Sequence, residues 1–494
     1  MDYALRAAAA ATAQLGFEEA ARHCEAALEL ADDRRGELAL ALGEARAKGG
    51  DPRAQQAFLA ATDAARASGD ADLLARAVLG LTFTWGWTGV VDKDRIALLE
   101  RALAAVGAGD DALRAQLLAR LAGELYFGPE LARRDALSAE AVAVARRLGD
   151  PSTIGRCLDA RTYAIWGPGG AEERLGAARE IVGLAEQAGD PELAVAGHAW
   201  GITAVTALGD IAALDAEIAA YAGLADQLRQ PRYQWYIRTR RSMRAALAGD
   251  FDAAMRWADE GWRIATRAGE PDADNVRNQR FVVWMERLEP DAVPELDAQL
   301  AAVAAGLPPE ADVVAGLQAY VALMHLLAGD ESTVRSLLDQ LTPERLRRKH
   351  RDFEWTNTMI SMAWVSVRLG EVDRMETLAE LLAPYARYGA TDAGAVMFLG
   401  STAYTLGMLA TSLGCFNEAE SYLGDALAFH QRMGATPWVA RTRFEQARLA
   451  IRRGRSADAD GPLADATSVA QRLGMRALRQ DLAALRDGVS TGGR

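Results

Sequence analysis

Five histidines, three cysteines and no catalytic signature make up the reactive inventory of 494 residues. His23, His198, His325, His350 and His430 stand far apart, and Cys24, Cys157 and Cys415 have neither metal-binding nor redox spacing. No Gly-x-Ser-x-Gly elbow, His-Glu-x2-His pair, Cys-x2-Cys pair, dinucleotide loop or Gly-x4-Gly-Lys-Ser/Thr phosphate loop occurs. The expectation is a chain without catalytic residues, metal or cofactor. Residues suited to recognition are richer in the middle of the chain: Arg161, His198, Trp200, Gln234, Trp235, Tyr236, Arg238, Arg241, Asp274, Asn278, Trp284 and Gln318. Guanidinium and amide groups beside aromatic faces suit an anionic or polar small molecule, or an extended peptide. Proton transfer would need His198, or a pair such as Asp274 with Arg238.

What would position these residues is a 40-residue period. Gly69-Asp70, Gly109-Asp110, Gly149-Asp150-Pro151, Gly189-Asp190-Pro191 and Gly269-Glu270-Pro271 fall on it, with Gln230-Pro231 in the remaining slot. Gly209-Asp210, Gly249-Asp250 and Gly329-Asp330 lie about halfway between. A turn roughly every 20 residues, with alanine- and leucine-rich helical pattern between, describes stacked helix hairpins. Residues 40 apart then become spatial neighbours. The eighth position after each turn reads Val78, Leu118, Leu158, His198, Arg238, Asn278, Gln318, Thr358, and the fourth reads Gln234, Asp274, Val314, Glu354 in the later half. The eleventh adds Arg161, Arg241 and Phe281. Positions four, eight and eleven share one helix stripe. The plain alternative is a solvated face with intrahelical salt bridges.

The net charge of −13 argues against direct nucleic-acid binding. Cysteine usage points to a reducing cytoplasm. Residues 393–417 form a 25-residue uncharged run, long enough to span a bilayer. Its glycine, serine and threonine content favours a buried helix and no membrane span. The run Arg345–Arg351 reads as a solvated basic helix end. Trp85 and Trp87 read as packing aromatics.

Phe17-x2-Ala20-x3-Cys24-x2-Ala27 recurs as Phe251-x2-Ala254-x3-Ala258-x2-Gly261 and Phe416-x2-Ala419-x3-Leu423-x2-Ala426. With Ala403-x2-Leu406-Gly407-x2-Ala410 before the last copy, the chain resembles tetratricopeptide-like repeats, of the longer and more degenerate MalT-like kind. Segments 112–151, 158–175, 229–236 and 399–450 look like the C-terminal repeat region of actinobacterial ATP-dependent LuxR-type regulators and ATPase-linked cyclases. The likeness covers roughly 1–480. It implies an all-α, right-handed α-solenoid of about twelve helix pairs with a C-terminal capping helix, and first helices lining a concave groove. The stripe above would then be the groove wall. The expectation is a single superhelical domain over 1–489 with a disordered tail at 490–494, either free-standing or part of a larger regulator. Its expected role is non-catalytic and regulatory: binding a small molecule or a peptide or protein segment in the central groove. The alternative is an enzyme or sequestering protein of specialised metabolism with a pocket inside the superhelix. A third possibility is an oligomerisation scaffold.

Overall fold

The computed structural model describes residues 2–30, 34–81, 91–109, 111–270, 273, 276–288, 292–305, 307, 312–392 and 394–492. Trp85, Trp87 and Asp274 lie outside them. Among the described residues the chain is an all-α solenoid of twelve helix pairs. They begin α1 (Asp2–Ala13) with α2 (Phe17–Leu28), α3 (Arg35–Gly49) with α4 (Ala54–Ser68), and α5 (Ala71–Leu81) with α6 (Lys93–Val106). Next come α7 (Ala112–Glu124) with α8 (Leu131–Leu148), α9 (Pro151–Ala164) with α10 (Ala171–Ala188), and α11 (Pro191–Leu208) with α12 (Ile211–Leu228). The second half holds α13 (Pro231–Ala248) with α14 (Phe251–Arg267), α15 (Val276–Arg287) with α16 (Ala292–Ala305), and α17 (Asp312–Ala328) with α18 (Glu331–Leu338). A short α19 (Pro343–Arg348) precedes α20 (Trp355–Leu369) with α21 (Val372–Leu382). Then follow α22 (Thr402–Leu413) with α23 (Phe416–Arg432), α24 (Thr436–Arg452) with α25 (Asp460–Leu473), and the capping α26 (Arg476–Gly492). Helix α26 runs past residue 489, where the sequence reading ended the domain.

The Gly-Asp-Pro turns explain themselves residue by residue. Gly149 closes α8 at φ +75°, a left-handed conformation that a side chain would oppose. Asp150 then caps α9 by accepting the Thr153 N–H, and Pro151 sits in the first turn where no donor is missed. Asp190, Asp210, Asp250 and Asp330 cap their helices in the same way.

The superhelix is tightly wound, because each coil touches the next. Phe353 N–H donates to Tyr126 Oη, 227 residues away, and Tyr126 Oη donates to the Trp166 carbonyl. Tyr388 Oη donates to Glu172 across 216 residues, and Arg432 Nε to the Gly209 carbonyl across 223. The Gly167–Gly170 turn lies at this seam, with Gly167 against the Arg351 carbonyl. With a 40-residue period, separations of 216–227 mean about five to six pairs per coil.

One element departs from the all-helical expectation. Between α21 and α22, where the 40-residue count places a new pair near 390, stands a two-stranded antiparallel hairpin, β1 (Gly389–Thr391) and β2 (Phe398–Ser401). The uncharged run is thus split between hairpin and α22, and no helix among the described residues is long and apolar enough to cross a membrane. The basic run is also divided: Arg347 and Arg348 are exposed, but Lys349 is buried with its Nζ 3.0 Å from Asp352 Oδ2.

Candidate functional site

The predicted stripe does not line a single groove. Three eighth-position side chains bond within their own repeat. His198 Nδ1 lies 2.6 Å from Glu217 Oε2, Arg238 Nε 2.8 Å from Glu260 Oε1, and Gln318 Nε2 2.7 Å from Gln340 Oε1. Arg241 stacks over Trp257, and Gln234 bridges Arg238 and Asp226. Arg161 reaches back to Ser138 and Asp135 on α8. Trp200, Trp235 and Trp284 are core residues. Asn278 alone among the described candidates is shown bonding across the interior, its Nδ2 donating to Asp392 Oδ2 at 2.8 Å.

The interior is filled by the hairpin. Val396 packs in one core with Tyr126, Trp166 and Phe353. Ala395 and Phe398 join a second with Tyr233, Ile237 and Trp438, while Met397 and Leu399 join a third with Phe281 and Leu406. Gln279 Nε2 donates to the Val396 carbonyl at 2.9 Å, and Gly394 turns at φ +77° where a Cβ would meet Arg240 Nη2. Beside it remains a cavity of about 20 Å³, lined by Ser242, Gln279, Glu286, Met397 and Trp438, enough for about one water.

His430 anchors the hairpin. Its Nε2 accepts the Ser401 N–H at 2.8 Å, which leaves the ring proton on Nδ1, facing Thr442 Oγ1. Burial pushes its pKa down to about 3. Below pH 6.5 the unfolded chain therefore takes up a proton that the folded chain refuses. This contribution to stability is complete above pH 6.5 and is lost as pH falls toward 3, at up to about 1.4 kcal/mol per pH unit. Urea denaturation across that window should show wild type losing more stability than His430→Gln; parallel curves would contradict the assignment.

Two polar regions line the rest of the inner wall. In the first coil, Arg120, Asp159 and Arg232 come from α7, α9 and α13. Burial brings the Arg120 guanidinium down to about 10, with Glu124 and Asp159 opposing that fall and Arg232 adding to it. Asp159 accepts Trp200 Nε1–H at 2.7 Å; burial pushes its carboxyl up against that bond and the pull of Arg120 and Arg156. Nearby, Glu192 Oε1 accepts from Lys48 Nζ and Gln230 Nε2. In the second coil, α15, α17, α20 and the hairpin bring together Arg277, Asn278, Tyr320, Glu354, Asn357 and Asp392. The Glu354 carboxyl is pushed up to about 7 by burial and then by Asp352, against Lys349 and Arg277.

The missed signal is two residues along each helix. The tenth position reads Arg120, Ala160, Trp200, Arg240, Arg280 and Tyr320; of these Arg120, Trp200, Arg240 and Tyr320 face inward, whereas Arg280 pairs with Asp259 and Glu295. Two residues rotate a helix by about 200°, which carries the eighth position round to its hairpin partner. Glu354, a fourth-position residue in the sequence reading, does reach the interior.

No family model matches the chain, and no curated relative matches it. Among solved structures it is similar to yeast Tom70, at 12% identity over 92% of this chain and 97% of that one, with a TM-score of 0.38. It is also similar to the Cut9–Hcn1 hetero-tetramer of the APC/C, at 12% identity over 97% and 96%, with a TM-score of 0.34. A third likeness, to a circular tandem repeat protein, has 16% identity and a TM-score of 0.12.

Proposed function

We propose that this chain is a non-catalytic, regulatory binding protein of MalT-like repeat type that recognises a small polar molecule or a short protein segment on its inner wall. The observation that carries the reading is the Arg120–Asp159–Arg232 region, where side chains from three first helices converge inside the coil and remain partly exposed. Charged groups of both signs held by a rigid stack are suited to orienting a polar ligand. The hairpin favours small or short ligands, because it occupies the space that a long extended peptide would follow. Affinity selection from a mixture of metabolites and short peptides, read by mass spectrometry, tests this. Wild type should retain a ligand that Arg120→Gln loses; an identical retained set in both proteins would remove the proposal.

A second reading, binding of a protein on the outer face, is favoured by exposed Leu59, Leu131, Leu148 and Trp262 on α4, α8 and α14. Substituting these four with serine should abolish partner capture in that case and leave small-ligand retention unchanged.

A further inference from the structure

Cations gather on the inner face of the first coil. The second, sixth and tenth positions of α5, α7, α9, α11 and α13 share one helix stripe. They carry five arginines (Arg76, Arg120, Arg156, Arg232 and Arg240) against two carboxylates, Asp72 and Glu192, in a chain of net charge −13. Arg156 is held by Asp190, and Arg240 bonds the Tyr236 carbonyl beneath the hairpin tip. Glu192 accepts from Lys48 and Gln230. Arg120 and Arg232 are the members of the stripe placed to meet a ligand.

Their placement follows from the winding. Arg120 belongs to the fourth helix pair and Arg232 to the seventh, and one coil takes about five to six pairs. Three pairs make about half a coil, so the two side chains face each other across the lumen. Each lies close enough to feel the other: besides burial, Arg232 and Arg95 push the Arg120 pKa down, against Glu124 and Asp159. Both keep accessible surface, as do Asp159 and Tyr236 on the same wall, so solvent reaches the space between them. Arg232 also stands clear of the hairpin tip. Arg240, which meets Gly394, lies eight residues or about 12 Å further along α13.

Arg232 is braced over the Tyr236 ring at 5.7 Å. Asp159, Glu124 and Glu270 stand near these arginines. Asp159 takes the Trp200 indole N–H, and Glu124 lies 3.8 Å from Arg95. Burial pushes all three carboxyls up, so they hold their negative charge less firmly than surface carboxylates do. Two guanidinium groups brought together away from bulk water gain most from a ligand that carries two negative charges.

We propose, resting on the reading that the first-coil wall is a binding site, that its ligand is a small dianion seated between Arg120 and Arg232. Two kinds of molecule carry that charge: a single phosphate group, or a short chain with a carboxylate at each end.

Isothermal titration of the full chain, at low salt and mildly alkaline pH, separates them. The probes are inorganic phosphate with its monoanionic relative dimethyl phosphate, and the dicarboxylates from malonate to adipate, each with its monoamide. At least one dianion should bind saturably, and at least about tenfold more tightly than its monoanionic relative. Arg120→Gln and Arg232→Gln should each weaken that dianion by about tenfold or more. Arg348→Gln, which removes an exposed cation from α19, should leave it unchanged. Phosphate binding alone means that both arginines grip one group; dicarboxylate binding alone means that each takes one end. The proposal is overturned if no dianion of the set binds, if the monoanions bind as tightly, or if Arg348→Gln weakens binding as much as Arg120→Gln. The comparison of probes uses wild type only, so it decides even where a variant fails to fold. If affinity selection instead retains a neutral or cationic molecule that Arg120→Gln loses, the binding reading survives and only the dianion is lost.

Discussion

Arg441→Ala is expected to destabilise the protein by about 3–5 kcal/mol in urea denaturation. Arg441 on α24 grips Glu286 on α15 with two hydrogen bonds, Nε to Oε1 at 2.9 Å and Nη2 to Oε2 at 2.8 Å. Both side chains are almost wholly buried, and the guanidinium also lies over the Trp364 ring at 4.9 Å. Removing only the cation strands the Glu286 carboxylate in a largely apolar setting, beside a cavity with room for about one water. The double variant Arg441→Met with Glu286→Leu removes both charges and should recover most of the loss. A single substitution costing less than about 1 kcal/mol would show the pair to be solvated. Because the partners are 155 residues apart, the effect reports on the coil and not on one repeat.

Phe398→Ala should cost about 3–5 kcal/mol, the range for removing a buried aromatic ring from a well-packed core. Phe398 lies parallel to Phe429 at 6.3 Å and presents its ring to Trp438 and His430 at 6.1 and 6.4 Å. Its removal would enlarge the adjoining cavity of about 20 Å³, and its ring neighbours on α23 and α24 cannot close in together. As a control, Leu59→Ala on the exposed face of α4 should stay within about 0.5 kcal/mol. Thermal unfolding of the two variants side by side reads the difference. Equal, small effects would mean that the hairpin merely rests on the surface.

The architecture was largely legible because its punctuation is chemical. A left-handed glycine, an aspartate cap and a proline in the first turn each do one job, and their recurrence gave the twelve pairs. The recurring Phe-Ala-Ala spacing marks packing positions: Phe251, Ala254 and Ala258 are all buried. The hairpin was not legible. Its second strand, Phe398–Ser401, is buried on both faces, so it lacks the alternation that marks a half-exposed strand. Gly389, Gly394 and Gly400 were the available hint; a Cβ at Gly400 would lie 2.6 Å from the Trp438 ring, with φ already at +84°.

Which side chains face the interior was less legible, for a related reason. A 40-residue period identifies equivalent positions but leaves open which stripe faces inward, and that depends on how neighbouring pairs rotate when they pack. Arg238 and His198 have the right chemistry for a ligand, yet both meet carboxylates of their own pair. Asn278 was among the candidates and bonds across the interior; Glu354, read only as a fourth-position residue, also reaches it from the N-cap of α20.

Native-state hydrogen exchange at the hairpin tests most directly whether the interior is filled by this segment. The Ser401 N–H, held by His430, and the Thr402 N–H, held by the Tyr388 carbonyl at 2.9 Å, should exchange as slowly as the buried amides of α20. Exchange of residues 396–402 at the rate of an exposed loop would contradict the account, because the lumen would then be open and the hairpin only lodged at its edge.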